Sequence, residues 1–197
     1  MDNIQKPLTE IFPIYRQGDP RWSDDHYGYA NAGADSTLGL YGCGLTCLAM
    51  LITFYGLPIT PRELNHDLRT RGGFRRDTSF NLIDWPKLVA LYPNIFKSYE
   101  RRNFYASDPQ PIDMQAMRES LGLGLPVILK VDGIPSTVKL DEHFVVAVSS
   151  LEESTLVADP YSGQIKPLSA FFSKTKPSRQ NEPAAIWSMI FYKPRLS

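Results

Sequence analysis

From Leu45 onward the apolar residues Leu45, Leu48, Ala49, Leu51, Ile52 and Tyr55 recur at three- and four-residue spacing, the period of a helix with a buried face. Gly56 and Pro58 supply the stop. The pattern predicts a mostly buried helix of about three turns with Cys43 at its start. A second helix is announced by "TPREL", with Thr60 as N-cap, Pro61 at the first helical position and Glu63 three residues after the cap, a capping box. It should run to about Arg71 and end at Gly72-Gly73. Asp113 to Leu123 reads as a third amphipathic helix, with Met114, Met117 and Leu121 on one face and Gly122 and Gly124 closing it.

The pattern then changes to short β-branched runs. "PVILKV" (126–131), "HFVVAVSS" (143–150), "STLVAD" (154–159) and "AAIWSMIFY" (184–192) predict four strands and one sheet. The tight turn between Ser150 and Ser154 predicts an antiparallel hairpin that brings Asp159 near His143. From Gly72 to Pro111 the prolines at 86, 93, 109 and 111 and the basic pairs Arg75-Arg76 and Arg101-Arg102 predict loops, with a short helix around Asp84 to Leu91. The polar segment 174–183 reads as a surface loop. No period of about 20 to 50 residues repeats. Helices first and strands later define an α+β chain.

With 197 residues and 43% hydrophobic content, the chain suits one domain, assigned to residues 12–197 behind an N-terminal tail of residues 1–11. Lysine plus arginine total 21 and aspartate plus glutamate total 21, so no global field recruits nucleic acid or an anionic membrane. The first residues lack a secretory signal pattern, and no stretch approaches the roughly 18 apolar residues of a membrane span. The expectation is a soluble protein with the cytoplasm favoured. Cys43 and Cys47 are too few for a disulfide scaffold. On one helix their Cβ atoms would lie about 5 to 6 Å apart, beyond the roughly 3.8 Å of a disulfide, so both should be free thiols. A zinc site from these cysteines with His66 or His26 lacks a second cysteine pair, and neither metal nor organic cofactor is expected.

A helix N-terminus presents unpaired N–H groups and about half a positive charge, which favours a thiolate. Gly42 and Gly44 let backbone and substrate approach Cys43 closely. Cys43 is therefore placed as a nucleophile, against the plainer reading of a packed thiol, while Cys47 among leucines reads as core. A nucleophilic thiol needs a base. His66 sits on the capping-box helix and His26 in a polar turn, where solvated histidines are the simpler account. His143 instead heads a nearly continuous apolar run. Asp159, ending its strand before Pro160, is the best candidate to orient the imidazole; Asp141 is a weaker rival, and Glu142 points to the opposite face. Acyl chemistry also needs a second oxyanion donor besides the nucleophile's own N–H. Gln17, in "IYRQGDPRW", is a neutral amide that by itself would read as a surface residue.

The order Gln17, Cys43, His143, Asp159, with "YGCGLTCLAM", "DEHFVVAV" and "VADPYSG" around the last three, resembles the C39-like family of papain-fold cysteine peptidases. The resemblance covers about residues 12 to 172 and thins between 72 and 111. It implies a papain-like α+β fold, with the nucleophile on a central helix packed against an antiparallel sheet. Cys43 would be the nucleophile, His143 the general base then acid, Asp159 the orienter and Gln17 the oxyanion-hole amide. The implied reaction is hydrolysis of a peptide or amide bond in a peptide or protein substrate through a thioester. Two alternatives keep the fold: acyl transfer of the phytochelatin-synthase type, and a silent module that only binds peptide. Trp22, Gly42, Gly44, Trp85 and the arginine pairs are candidates for the substrate groove, against the simpler reading of core aromatics and solvated charges.

Overall fold

The computed structural model describes residues 7–33, 35–77, 81–104, 114–137, 141–151, 154–175 and 180–195. Helical turns α1 (Leu8–Ile11) and α2 (Leu38–Tyr41) lead into helices α3 (Cys43–Phe54) and α4 (Pro61–Arg71), then α5 (Leu88–Leu91) and strand β1 (Phe96–Asn103). Helix α6 (Met114–Gly122) precedes β2 (Val127–Asp132), β3 (Glu142–Leu151), β4 (Ser154–Asp159) and β5 (Gln164–Pro167); α7 (Glu182–Ala185) and β6 (Ser188–Pro194) follow. The strands form one antiparallel sheet in the order β1-β6-β2-β3-β4-β5.

Local chemistry accounts for the two helices around the cysteines. In α4 the Thr60 hydroxyl accepts from the Glu63 N–H, and the Glu63 carboxylate accepts from the Thr60 N–H at 2.8 Å; Gly72, at φ 74°, closes the other end. Helix α3 is buried from Gly44 to Ile52, so it is apolar all round and needs packing on several sides. It lies against the sheet within a core that includes Leu45, Leu48, Leu64, Ile128, Val146 and Ile190. Strand alternation sends Val127, Leu129, Val131, Val145 and Val157 to the opposite face, where they pack with Met114, Met117 and Phe171. The break between α2 and α3 falls at Gly42, where a Cβ would lie 2.4 Å from the Leu38 carbonyl oxygen. No larger residue fits there without displacing backbone.

Several expectations need correction. Among the described residues the sheet has six strands, not four. β1 lies inside the segment expected to be loops; it is an edge strand paired only with β6, so its "KSYERRN" stretch carries no continuous apolar signal. β5 is short and largely exposed, which hid it in the same way. The last strand begins at Ser188, because Asn181 caps the N-terminus of α7 and keeps Glu182–Ala185 helical. Within the assigned tail, Leu8–Ile11 form a helical turn whose Leu8 packs on the core. Asp113, the expected start of α6, and residues 176–179 of the expected surface loop lie outside the described residues. The end of that loop is anchored, since the Glu182 carboxylate accepts from Thr155 N–H at 2.6 Å and from its hydroxyl at 2.9 Å. Among the described residues no helix is long and apolar enough to cross a membrane.

Candidate active site

Cys43 is the first residue of α3 and is half-buried, a free thiol like the fully buried Cys47. First-turn N–H groups have no acceptor within their own helix, so the backbone N–H of Cys43 is open to a ligand. Gly44 follows, and a Cβ on it would stand 3.3 Å from the rings of both Trp85 and Phe144. A larger side chain there would press on both rings.

His143 enters from the first residues of β3, where it pairs across from Val131. Alternation places it on the same face as Val145 and Ala147, and Ala147's partner Val157 on β4 shares that face with Asp159. The hairpin brings the two together: His143 Nε2 lies 2.6 Å from Asp159 Oδ1. With Nε2 committed there, Nδ1 is the ring nitrogen left for Cys43, whose side chain is near enough to the ring to act on its pKa. Below the imidazole, Phe171 packs with its centroid 5.8 Å away.

Asp159 is almost wholly buried and fully satisfied. Oδ1 accepts from His143 and from the Tyr161 N–H at 3.1 Å; Oδ2 accepts from the Ser162 N–H at 3.1 Å, the Ser162 hydroxyl at 2.7 Å and Lys166 Nζ at 2.8 Å. Burial alone would raise the carboxyl's pKa, but the hydrogen bonds from His143, Lys166 and Ser162 hold it well below the usual carboxylate range. At His143, burial favours the neutral ring, yet the hydrogen bonds to Asp159 and Cys43 and the charges of both raise its pKa from 6.5 to about 9. Burial, with the charges of Cys43 and Asp159 behind it, pushes the Cys47 thiol well above its ordinary value. The arrangement favours an imidazolium facing Cys43 at neutral pH.

Gln17 is buried, not a surface residue. Its N–H donates to the Pro160 carbonyl at 2.8 Å, just beyond Asp159, and its Nε2 donates to the Gly39 carbonyl at 2.8 Å, leaving the second amide hydrogen to the site. Oε1 has no partner among the described residues. Two clefts meet at Cys43. The smaller, about 400 Å³, is bounded by Gln17, His143, Ile134, Tyr161 and Phe171; the larger, about 650 Å³, by Gly44, Trp85, Phe144, Tyr99 and Arg101.

The other sequence candidates divide between cleft and core. Trp85 and Gly44 line the larger cleft. Trp22 does not: it is buried and donates its indole N–H to the Arg16 carbonyl at 2.9 Å, so it is a core residue. Gly42 serves the α2–α3 junction. Of the basic pairs, Arg75 and Arg101 reach the larger cleft, with Arg75 ion-paired to Asp77 at 2.7 Å. His66 is exposed on α4, whereas His26, expected to be exposed, is half-buried with Nε2 2.8 Å from the Tyr29 carbonyl oxygen. Asp141 lines the smaller cleft but hydrogen-bonds to Thr137, not His143, and Glu142 is tied to Lys130. Sequence reasoning missed Lys166, Phe171 and Gly133, where a Cβ would lie 2.9 Å from that of His143. The signal for Lys166 was available: an antiparallel return after Asp159 pairs it with Val157, on the face that carries Asp159 and His143.

A half-buried thiol at a helix start and an imidazole–carboxylate pair at the ends of two paired strands thus line one cleft, in a fold of helices packed on an antiparallel sheet. A family model described as the Peptidase_C39 like family matches residues 11–178, and the chain belongs to that family. The fold is shared with a crystal structure from Bacillus anthracis provisionally designated a C39-like peptidase. The two are 14% identical over 98% of this chain and 100% of that one, with a TM-score of 0.56. Among curated proteins none matches.

Proposed function

We propose that the protein is a cysteine peptidase that cuts a peptide bond through an acyl-enzyme on Cys43. The observation that carries this reading is the His143–Asp159 Oδ1 pair, 2.6 Å apart, lining one cleft with Cys43 at the junction of two open clefts. In the first step the Cys43 thiolate adds to the carbonyl carbon. The oxyanion is received by the Cys43 N–H and the Gln17 amide. As the tetrahedral intermediate collapses the C–N bond breaks, and the imidazolium proton of His143 passes to the leaving amine. In the second step neutral His143 takes a proton from water, the hydroxide attacks the thioester, and the C–S bond breaks to restore the thiolate–imidazolium pair. Asp159 keeps Nε2–H in place throughout, so Nδ1 always faces the chemistry.

The clefts favour a polypeptide over a small amide. The leaving amine must reach His143, which lines only the smaller cleft, so the acyl side of the substrate occupies the larger one over Trp85 and Phe144. Of the large apolar side chains left exposed, Leu40, Tyr41 and Leu82 rim the larger cleft and Ile134 and Tyr161 the smaller. Exposed apolar groups gathered on both sides of a thiol suit an extended chain crossing it. The test is incubation with a diverse peptide library, read by mass spectrometry against Cys43→Ala, with and without an added amine. New termini generated only by the native enzyme support the proposal; identical spectra overturn it. Products carrying the added amine in place of water reassign the enzyme as an acyltransferase.

A further inference from the structure

We propose that Lys166 is a positioning residue of the active site, acting through Asp159 to hold the carboxylate on His143 and to set how tightly the imidazole keeps its proton. The inference deepens the peptidase reading and rests on it for its catalytic meaning, but the contacts stand by themselves. Lys166 lies on β5 opposite Val157, so its side chain shares a face with Asp159 and His143. Its Nζ is 2.8 Å from Asp159 Oδ2, the oxygen that His143 does not use. The same ammonium stands 4.4 Å from the centroid of Phe171, the ring that packs beneath His143. One buried carboxylate and one aromatic ring thus hold both cations.

In the proposed reaction the charges alternate along this line once Cys43 is ionised: thiolate, imidazolium, carboxylate, ammonium. A carboxylate serving His143 alone would pull the proton onto the imidazole with its full charge, in a site where burial strengthens every such interaction. Lys166 takes up part of that charge from the far oxygen. The imidazolium still forms, but it can release its proton to a leaving amine. Lys166 also resists rotation of the carboxylate, because each oxygen has its own cation.

The other ionisable groups around His143 do not duplicate this role. On α3 they are Cys43 and, one turn further in, Cys47. Asp141 and Glu142 at the start of β3 are negative, bonded to Thr137 and Lys130 respectively, and Tyr161 follows β4. Asp132, opposite Glu142, accepts from the N–H groups of Ile134 and Asp141. Among the described residues, Lys166 is the one lysine or arginine within ion-pair distance of Asp159.

The experiment is a pH titration of the imidazole C–H resonances by NMR in the native protein, Lys166→Met, Lys166→Gln and Lys166→Arg. The chain has only three histidines, and His143 is assigned by its loss in His143→Ala. Lys166 is partly exposed, so the variants should fold, and their dispersed spectra report it directly. The midpoint of His143 should rise by about 0.5 to 1.5 pH units in Lys166→Met and Lys166→Gln. In Lys166→Arg it should stay near the native value. If a peptide substrate is in hand, the alkaline limb of kcat/KM should move upward with it. An unchanged or lowered midpoint in both neutral variants overturns the proposal, whatever happens to thermal stability. Absence of turnover in the native enzyme overturns the peptidase reading instead, and the NMR midpoints still decide the role of Lys166.

Discussion

His143 and Phe144 are neighbours on one strand, yet strand alternation delivers them to different clefts, the imidazole to the smaller and the phenyl ring to the larger. Cys43 stands between them at the start of α3. In the proposed reaction the leaving amine lies beside His143 and the acyl group against Phe144 and Trp85, whose rings lie 5.2 Å apart.

Narrowing the larger cleft should therefore act on substrate binding before it acts on the thiol. In Gly44→Val the new side chain would press on Trp85 and Phe144, since even a Cβ reaches 3.3 Å from both rings. The expected result is a rise in KM of roughly 10-fold or more with alkylation of Cys43 by a small reagent little changed, the pattern of lost uniform binding. Kinetics with the peptide found in the library screen, run beside iodoacetamide labelling, separate the two effects.

Gln17→Ala should lower kcat by roughly 10²- to 10³-fold, the usual consequence of deleting one oxyanion donor. Because Gln17 is buried and its Nε2 donates to the Gly39 carbonyl, stability should fall as well, by about 1 kcal/mol. Denaturant unfolding measures the second effect independently of the first. Unchanged kcat with the expected loss of stability would leave Gln17 a structural residue only.

At the junction of α2 and α3, Gly42→Ala should destabilise the fold by roughly 1 to 3 kcal/mol, because its Cβ would meet the Leu38 carbonyl oxygen at 2.4 Å. The glycine has an ordinary φ of −80°, so close packing, not backbone conformation, is the cause. A shift in thermal midpoint with the active-site thiol still reactive is the expected outcome.

The pH dependence follows from the sign of the His143 shift. Its pKa is raised from 6.5 to about 9, so protonation of His143 stabilises the fold fully below 6.5, and that stabilisation is lost as pH rises through about 9. Asp159 runs the other way: its depressed pKa stabilises the fold above the ordinary carboxylate value of about 3.9, and the contribution disappears as the solution becomes strongly acidic. Unfolding midpoints measured from pH 6.5 to 9 should fall more steeply for the native protein than for His143→Gln. The alkaline limb of kcat/KM should lie in the same window.

The helix starts and the central hairpin were legible in the sequence because their causes are local. A capping box is four consecutive residues, and the return of β4 on β3 is dictated by a short turn between two β-branched runs. Asp159 reaches His143 for that reason. β1 was illegible because an edge strand with one partner keeps charged residues such as Lys97, Glu100 and Arg102 at the surface. Trp22 stayed open between groove and core, with core the simpler reading, because a tryptophan near a cysteine in the chain can satisfy its N–H in the core as readily as it can line a groove. Lys166 and Phe171 required register, not pattern: neither looks unusual until β5 is laid beside β4.

The central claim is that Cys43 is an activated nucleophile paired with His143, and selective alkylation tests it without knowledge of the substrate. Cys43 is half-exposed between two clefts; Cys47 is fully buried, and its surroundings oppose ionisation. With substoichiometric iodoacetamide at about pH 6, where an unperturbed thiol of pKa about 8.5 is under about one per cent ionised, label should appear on Cys43. Fragmentation of the shared peptide distinguishes the two residues. His143→Ala should slow this labelling by at least about 10-fold while leaving the denatured protein's labelling unchanged. Label appearing first on Cys47, or a Cys43 rate at pH 6 that does not depend on His143, would contradict the account.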